Sequence, residues 1–485
     1  MTGHDFVAPL MFGGLVLFML IGYPVAFSLA AVGLIFALFG VEFGYFPAAF
    51  LQALPERVFG IMANDVLLAI PFFTFMGAVL ERCGLAEDLL DGMGQLFGPV
   101  RGGLAYAVII VGAILGAITG TVAASVIAMG MISLPVMQRY GYDMRLATGV
   151  IAASGTITQL IPPSLVLIVL ADQLGKSVGD MYAGAIGPSI VQVLLFCGYV
   201  LVLSIVRPRS MPALSPQART MKGWALVSKC LWGMVPSMAL IFLVLGTILM
   251  GLATPTEGGA MGAVGAILLA ALHRRLSWKL LWSGMDSTMR ITSMVIFILV
   301  GSSVFSLVFR GFDGDVWIEH MLTALPGGTV GFLIFVNLFV FFLAFFLDFF
   351  EIAFIVIPLL APVAAKLGID LIWFGVLLGA NMQTSFMHPP FGFALFYLRG
   401  VAPKGVKSSD IYWGALPWVG LQLLLVSIVI AWPGLVTDFI PHGPAHAPVK
   451  TIVLPPDRYG TGADRSGGND QSGAAELERE FKQSQ

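Results

Sequence analysis

The sequence predicts an all-α polytopic membrane protein that contains two copies of one unit. Of its 485 residues, 58% are hydrophobic and 11% are charged, whereas about a quarter of the residues in soluble proteins are charged. Many of its apolar runs are long enough to cross the roughly 30 Å hydrocarbon core of a bilayer. The chain is therefore predicted to reside in a lipid bilayer, and no nucleic-acid partner is expected.

The duplication is visible as a pattern that recurs without a gap. The stretch from Pro135 to Pro163 aligns with the stretch from Pro362 to Pro390. The matched pairs are Pro135 and Pro362, Gly141 and Gly368, Asp143 and Asp370, Ala153 and Ala380, Pro162 and Pro389, and Pro163 and Pro390. After a small insertion, 180–185 resembles 410–415. Paired breaks in duplicated hydrophobic segments indicate a secondary transporter.

Five crossings are predicted in each repeat. Their ranges are roughly 7–22, 24–40, 62–82, 145–173 and 182–206 in the first repeat (1–210), and roughly 226–250, 255–273, 286–309, 371–399 and 411–433 in the second (211–440). The fourth crossing of each repeat contains the Pro-Pro pair. It is predicted to be a broken helix, because proline removes a backbone donor and clashes with the preceding turn.

Between the third and fourth crossings of each repeat lies an apolar stretch with a break in its middle. These stretches, 103–137 and 328–365, are interpreted as helical hairpins that enter and leave on the same side of the membrane. Amphipathic arm helices at 85–97 and 313–325 precede them and are expected to lie along the interface. The polar composition of 441–485 predicts a disordered tail.

The positions of Lys and Arg test this topology. With five crossings and one hairpin per repeat, most basic residues fall on one face, which the positive-inside rule assigns to the cytoplasm. The exceptions outside the tail are Arg57, Lys176, Arg310 and Lys366. The N-terminus is then periplasmic, and the odd number of crossings makes the repeats inverted. If each hairpin were instead a pair of full transmembrane helices, the number of crossings per repeat would still be odd. The positions of the basic residues therefore support the inversion of the repeats more strongly than they support hairpins that enter and leave on one side.

Four polar places interrupt the apolar segments and supply the candidate binding residues. Non-helical backbone at membrane depth is tolerated only where protein buries it or where it lines a cavity. The candidates are Gly120, Thr121 and Ser125 at the first hairpin; Ser154, Gly155, Thr156 and Thr158 before Pro162 and Pro163; Asp348 at the second hairpin; and Asn381, Gln383, Thr384 and Ser385 before Pro389 and Pro390. Their oxygens are hard ligands. They predict sodium as the coupling ion, held by Ser154, Thr156, Asn381 and Ser385.

Each candidate also has a structural interpretation. Small and hydroxyl residues are common where membrane helices pack closely. Asp348 is a lone acid in an apolar run, and such acids are usually functional; the alternative is that it partners a helix terminus. Glu351 and His388 are weaker candidates, and Glu257 is interpreted as part of a capped helix start. The coincidence of break, polar cluster and repeat favours function for the clusters as a whole.

Several functional classes find no support in the sequence. It has no phosphate-binding glycine loop, no His/Cys metal spacing and no nucleophile elbow. The three cysteines, Cys83, Cys197 and Cys230, fit neither a disulfide framework nor a metal site. The chain is therefore not expected to be an enzyme, to use ATP or to hold a cofactor.

Several motifs, in order along the chain, resemble those of the large membrane subunit of tripartite ATP-independent periplasmic (TRAP) transporters, the DctM-like permeases. They are Ile70-Pro71-Phe72-Phe73 with Gly77, Gly112 to Ser125, Ser154 to Ser164, Ala253 to Glu257, and Asn381 to Pro390. The resemblance covers roughly residues 7–440. One departure follows Asp348, where Phe349-Phe350-Glu351 stands in place of small residues or proline.

The resemblance implies a sodium-coupled importer of the elevator type in the bacterial inner membrane. Its mobile transport domain would comprise the hairpins and broken helices, and the remaining spans would form a scaffold. The implied partners are a small four-helix membrane subunit, expected as a separate chain, and a periplasmic solute-binding protein that delivers a small acidic organic solute, typically a carboxylate. The resemblance also assigns the first hairpin and 154–158 to one half of the ion and substrate site, and Asp348 with 381–385 to the other.

Two other functions stay open at this point. A stand-alone sodium–carboxylate symporter would transport its solute without any periplasmic protein. A membrane scaffold protein with no solute pathway belongs to a different class, and the polar clusters at both repeat breaks argue against it.

Overall fold

The computed structural model describes residues 6–119, 121–215, 217, 219, 223–389 and 392–440. These residues form α-helices joined by short loops and 3-10 turns, and no strand occurs among them. The helices of the first half are α1 (Val7–Leu20), α2 (Val25–Glu42), α3 (Ala53–Met62), α4 (Ala69–Arg82), α5 (Leu85–Phe97), α6 (Gly103–Thr119), α7 (Val122–Arg139), α8 (Met144–Thr156), α9 (Leu165–Leu174) and α10 (Val178–Val206).

The second half continues with helices in a matching order. They are α11 (Trp224–Leu249), α12 (Pro255–Leu272), α13 (Trp278–Gly311), α14 (Gly314–Thr323), α15 (Gly328–Leu343), α16 (Phe349–Ile355), α17 (Ile357–Lys366), α18 (Leu371–Met382), α19 (Phe393–Val401), α20 (Ser408–Ala431) and α21 (Gly434–Thr437). The predicted tail at 441–485 and the candidates Gly120 and Pro390 lie outside the described residues.

Seven helices in the described ranges are long and apolar enough to cross a membrane, namely α2, α7, α10, α11, α12, α13 and α20. Two bent pairs, α14–α15 and α16–α17, reach the same length together. Many large apolar side chains on these helices are exposed, including Ile205 and Trp232, as expected for surfaces that face lipid. The prediction of an all-α polytopic membrane protein is confirmed, whereas the count of ten crossings and the inversion of the repeats stay predictions.

The repeat is visible in how its helices begin. Asp143 and Asp370 are the N-caps of α8 and α18, and each accepts a hydrogen bond at 2.8 Å through Oδ1, from the N–H of Arg145 and of Trp373 respectively. An aspartate at this position satisfies a backbone donor that the helix itself cannot satisfy. The two broken helices therefore start with the same device, at the positions that the sequence alignment pairs.

The hairpins differ in their second limbs. In the first hairpin this limb is the single helix α7, whereas in the second it is divided into α16 and α17, which are bent by 52°. Pro358 lies in the first turn of α17 and has no N–H to bond the carbonyl four residues earlier. That carbonyl belongs to Phe354, and it accepts a hydrogen bond from Ser302 Oγ of α13 at 2.6 Å. The proline thus frees an acceptor that the neighbouring helix satisfies.

Both arm helices are present, as α5 and α14. The arm α14 lies at 118° to α15, so it turns away sharply from the hairpin that it precedes. Ion pairs join each arm to a neighbouring helix, Asp91 to Lys229 of α11 and Glu319 to Lys366 of α17. The hydrogen bond from Lys366 lowers the pKa of Glu319 below its ordinary value.

Small residues bring the remaining spans close together. A Cβ at Gly301 of α13 would lie 2.4 Å from the carbonyl oxygen of Ala26 in α2, and a Cβ at Gly262 of α12 would lie 2.5 Å from Met76 Sδ in α4. Such close approach is typical of membrane helices, which gain little from burying apolar surface and pack through small residues. Helix α12 starts with a capping box formed by Thr254 and Glu257, so the interpretation of Glu257 is confirmed.

Candidate functional site

The two Pro-Pro segments interrupt helices where the sequence predicts. In the first half, α8 ends at Thr156, a 3-10 turn spans Ile157–Gln159 and α9 begins at Leu165. In the second half, α18 ends at Met382, a 3-10 turn spans Gln383–Met387 and α19 begins at Phe393. The clusters 154–159 and 381–385 are buried throughout. Protein therefore surrounds the non-helical backbone, which is the condition for irregular structure at membrane depth.

Thr121 and Asp348 hold equivalent places at the tips of the hairpins. Each is the N-cap of the helix that follows the break, with extended backbone at φ −129° and ψ 132° for Thr121 and φ −78° and ψ 176° for Asp348. The repeat alignment pairs the same two positions. Both residues thus stand at a helix N-terminus, where unpaired N–H groups carry partial positive charge.

Asp348 forms a capping box with Glu351. The Asp348 Oδ1 atom accepts a hydrogen bond from the N–H of Glu351, and the Glu351 Oε2 atom accepts one from the N–H of Asp348, each at 2.9 Å. This reciprocal pattern satisfies two backbone donors at once. The contacts of Asp348 therefore match the alternative interpretation, in which it partners a helix terminus, here that of α16. Glu351, part of the departure at Phe349-Phe350-Glu351, completes the same capping box.

A cavity of about 230 Å³ joins the two hairpin tips. Its lining includes Thr121 and Asp348, together with Gln159 from the first broken helix and Phe386 from the second. Ile291 and Met294 of α13 close it from another side. Thr121 and Asp348, one from each predicted half-site, therefore line one space that is large enough for a small solute or several waters. The other predicted residues that the structure describes, among them Ser154 and Asn381, are not part of its lining.

One oxygen atom in each cluster has no hydrogen-bond partner among the described residues. These atoms are Ser154 Oγ and Asn381 Oδ1, both fully buried. The Asn381 amide is oriented by its other end, since Nδ2 donates to Asn337 O at 2.8 Å and to Asn337 Oδ1 at 2.9 Å. Ser154 and Asn381 are paired by the repeat alignment. A buried oxygen without a donor is uncommon in proteins, and each cluster has one at the same position.

The other hydroxyls of the clusters donate to their own helices. The bonds run from Thr156 to Ala153 O, from Thr158 to Gly155 O, from Thr384 to Asn381 O and from Ser385 to Met382 O, at 2.7–2.9 Å. Hydroxyl bonds of this kind complete the last turn of a helix. The predicted sodium ligands therefore divide into two kinds. Ser154 Oγ and Asn381 Oδ1 make no hydrogen bond to a described residue, whereas Thr156 Oγ1 and Ser385 Oγ each donate to a backbone carbonyl.

Gly155 is a point of close packing. A Cβ at Gly155 would lie 2.2 Å from Val126 Cγ2 of α7, and a Cβ at Gly112 of α6 would lie 2.7 Å from Ser154 Cβ. Both limbs of the first hairpin therefore press against the end of α8. Ser125 is buried on the same limb as Val126. For Gly155 the structure supports the packing interpretation, and this packing holds Ser154 in place.

Two buried glutamines cross between the repeats. Gln192 of α10 donates through Nε2 to Gln383 Oε1 of the second cluster at 2.5 Å. Gln422 of α20 donates through Nε2 to Thr156 Oγ1 of the first cluster at 2.9 Å. Both glutamines are fully buried, and they occupy equivalent places in the repeats, as do Thr156 and Gln383. Each polar cluster is thus held by the last long helix of the opposite repeat.

The two clusters approach each other at Thr156. Its Oγ1 lies 3.6 Å from Met387 Sδ, at the end of the second 3-10 turn, and Gln422 Nε2 lies 3.7 Å from the same sulfur. His388, the next residue, lies between the rings of Phe341 and Phe345, with ring centroids 4.6 and 4.1 Å apart. The ring is thus packed between aromatic side chains, and neither of its nitrogens has a hydrogen-bond partner among the described residues.

The family model of the tripartite ATP-independent periplasmic transporter, DctM component, matches residues 12–435. This chain belongs to that family. The match covers the whole described region except its ends, including both hairpins, both broken helices and the paired glutamines. The resemblance inferred from the motifs is therefore confirmed, and this TRAP permease is a multi-pass transport protein.

Curated relatives agree with this assignment. The chain is 31% identical over 385 residues to the C4-dicarboxylate TRAP transporter large permease protein DctM of Pseudomonas aeruginosa, with 78% of this chain and 86% of that protein covered. It is 25% identical over 373 residues to the 2,3-diketo-L-gulonate TRAP transporter large permease protein YiaN of Escherichia coli, with 76% and 85% covered.

A solved structure supports the fold. The crystal structure of the Alcanivorax borkumensis YdaH transporter, described as having an unusual topology, matches with a TM-score of 0.55 at 15% identity. The match covers 81% of this chain and 89% of the YdaH chain. At this identity the likeness concerns the fold alone.

Sequence reasoning missed three polar residues of this TRAP permease that contact the clusters, namely Asn337, Gln192 and Gln422. Each is a single amide in an apolar run, and membrane helices rarely contain such groups unless they are paired. That signal was available in the sequence. A stronger one was the repeat itself, because Gln192 and Gln422 align when the match between 180–185 and 410–415 is extended.

Proposed function

We propose that this TRAP permease is the membrane subunit of a sodium-coupled importer of a small organic acid. The observation that carries the proposal is the pair of unpaired buried oxygens, Ser154 Oγ and Asn381 Oδ1, at equivalent helix breaks. Burying a polar atom without a partner costs ~1–3 kcal/mol. Coordination of a hard cation such as Na⁺ would offset that cost, because oxygen is the ligand that such ions prefer.

The cavity between the hairpin tips is the proposed place for the solute. It lies beside the N-termini of α7 and α16, and Thr121 makes no capping hydrogen bond through its side chain. The N–H groups of α7 therefore suit a carboxylate. Relatives named for C4-dicarboxylate, 2,3-diketo-L-gulonate and sialic acid support an organic acid as the solute class.

The proposed partners and motion follow from the same family. A periplasmic solute-binding protein would deliver the acid, and a small four-helix subunit would complete the membrane part. One relative is the isethionate TRAP transporter permease protein DctMQ of Oleidesulfovibrio alaskensis, of which this chain covers 66%. Ile291 and Met294 of α13 border the cavity, so it lies between the proposed scaffold and the proposed mobile domain. An elevator motion would open it to either side.

Uptake by reconstituted proteoliposomes tests this proposal. With the small subunit and the binding protein present, uptake of the acid is expected to require an inward sodium gradient and to proceed without ATP. Substituting potassium for sodium on both sides is the control. Uptake that persists without sodium, or that requires ATP, would contradict the proposal. Uptake of equal rate without the binding protein would favour the stand-alone symporter.

We also propose that the N-terminus is periplasmic and that the repeats are inverted. In a variant that lacks the three native cysteines, Arg209→Cys and Arg275→Cys are expected to react with an impermeant thiol reagent only after the cells are permeabilised. Lys366→Cys is expected to react in intact cells. The reason is the concentration of Lys and Arg on the proposed cytoplasmic face. Reaction of Arg209→Cys in intact cells would refute this topology.

A further inference from the structure

A second cavity lies away from the hairpin tips, at the ends of three helices. It has a volume of about 210 Å³ and is bordered by the first turn of α8, the last turns of α10 and the first turns of α20. The polar side chains that line it are those of Asp143, Arg145, Tyr199, Arg207, Ser210 and Trp413. We name it the arginine cavity. Since α10 and α20 are both long enough to span the membrane, it lies at a membrane boundary.

The arginine cavity presents cationic donors. Arg207 is exposed and forms no ion pair with any described residue. Arg145 contacts Asp410 Oδ1 through Nε at 3.4 Å, and its terminal amino groups form no ion pair with a described residue. Guanidinium groups match the geometry of phosphate oxygens. The aromatic residues Tyr199 and Trp413 are also part of the lining. Asp143 also lines the cavity, and its Oδ1 accepts a hydrogen bond from the N–H of Arg145. Arg207 is therefore the cationic side chain that is available to an anion with several oxygens.

Aliphatic side chains surround the same place. On α10, Leu201, Val202 and Ile205 are exposed at 54%, 56% and 71%, and on α20 Trp413 is exposed at 60%. Apolar groups that are exposed beside basic and aromatic side chains are typical of the boundary between acyl chains and headgroups. A ligand that pairs with the arginines and also covers this surface would need an anionic head and hydrocarbon tails.

The repeat supplies a comparison with the opposite ends of the same helices. Gly184 and Gly187 of α10 are the equivalents of Gly414 and Pro417, which line the arginine cavity. At Gly184 a Cβ would lie 2.8 Å from Val436 Cγ1, and at Gly187 it would lie 2.1 Å from Leu435 O. The short helix α21 thus fills the equivalent groove. In the first repeat a Cβ at Gly414 would lie 2.1 Å from Arg145 O, so α8 fills that position. The arginine cavity is the space that remains beside it, with Ser210 of the segment after α10 at its rim.

We propose that the arginine cavity binds the phosphate headgroup of an anionic glycerophospholipid. Basic pockets between membrane helices are suited to such headgroups, and charge-assisted bonds from arginine to phosphate are among the strong hydrogen bonds of proteins. The acyl chains of this lipid lie along the exposed face of α10, and it is a structural ligand distinct from the transported acid.

Native mass spectrometry of the full-length chain in detergent tests the site. Phosphatidylglycerol is compared with phosphatidylcholine of the same acyl chains and with inorganic phosphate. The wild type is expected to retain phosphatidylglycerol selectively. Arg207→Gln is expected to bind it about tenfold more weakly, which corresponds to one charge-assisted contact. Arg209→Gln is the matched control, because Arg209 is exposed in the same segment but does not line the cavity.

Three results would overturn the proposal. The first is equal retention of phosphatidylcholine and phosphatidylglycerol by the wild type. The second is an affinity loss in Arg209→Gln as large as that in Arg207→Gln. The third is retention of inorganic phosphate by the wild type as strong as that of phosphatidylglycerol, which would assign the cavity to a free anion. Circular dichroism of each variant verifies that the helices are intact.

Discussion

Ser154→Ala is expected to raise the sodium concentration for half-maximal uptake at least tenfold, without lowering the stability of the protein. The substitution removes a buried oxygen that has no hydrogen-bond partner in the described structure, so no intramolecular bond is lost. A tenfold effect corresponds to about 1.4 kcal/mol of lost cation binding. Sodium titrations of uptake, together with the melting temperature, measure the two quantities separately.

Ser237→Ala is the matched control for this variant. Ser237 is also fully buried, its hydroxyl also has no partner in the described ranges, and it lies on α11 away from the clusters. Sodium dependence should be unchanged in Ser237→Ala. An unchanged sodium titration in Ser154→Ala would show that this hydroxyl only packs, and an equal shift in both variants would show a general effect of removing a buried hydroxyl.

Asn381→Ala extends the same test to the second repeat. This substitution removes the free Oδ1 and also the two bonds to Asn337, so it is expected to affect both sodium dependence and stability. Asn337→Ala separates these effects, because it removes only the side-chain partner and leaves Oδ1 in place. A larger shift in sodium dependence for Asn381→Ala than for Asn337→Ala is the expected order.

Gln192→Met and Gln422→Met are each expected to reduce the rate of uptake about tenfold or more. Methionine matches glutamine closely in shape, so packing is retained while Gln383 Oε1 or Thr156 Oγ1 loses its donor. A buried acceptor without its donor costs ~1–3 kcal/mol. Because each glutamine holds the cluster of the opposite repeat, a change in α10 should alter the second cluster and a change in α20 should alter the first.

The readout that distinguishes positioning from general stability is the sodium titration at a temperature well below melting. Gln173→Met is the matched control, since Gln173 also donates to a side chain but does so within its own helix, to Asp172 Oδ2 at 2.9 Å. Gln192→Asn, which retains the amide on a shorter side chain, should recover part of the activity. Uptake kinetics that are the same in Gln192→Met, Gln422→Met and Gln173→Met would exclude a special role for the crossed bonds.

The breaks and hairpin tips could be predicted from the sequence because their causes are local. A Pro-Pro pair in the interior of a helical segment interrupts the helix, and a polar residue such as Asp348 in an apolar run must find partners nearby. Both features occur at aligned positions in the two repeats, so each prediction had two occurrences in its favour. Even the capping box at Asp348 was readable, since Glu351 follows at the spacing that this motif requires.

The contacts between the clusters could not be predicted in the same way. Gln422 and Thr156 are 266 positions apart, and Gln192 and Gln383 are 191 positions apart, so no local pattern pairs them. The difference between Ser154 and Thr156 is also invisible in the sequence. Both are hydroxyl residues in one cluster, and only the geometry of the last turn of α8 determines which hydroxyl finds a carbonyl.

The crossed glutamine bonds have the form of an isologous contact, in which one residue of a subunit meets a second residue of its twin and the reverse contact is also made. Within this single chain, the two repeats stand in the place of the two subunits. Neither half therefore contains all the contacts of its own polar cluster, because the helix that bonds to that cluster belongs to the other half. In this respect the permease resembles a dimer whose subunits are joined in one chain. A substitution at either glutamine therefore has to be accommodated by the repeat that it contacts and not by the repeat that contains it.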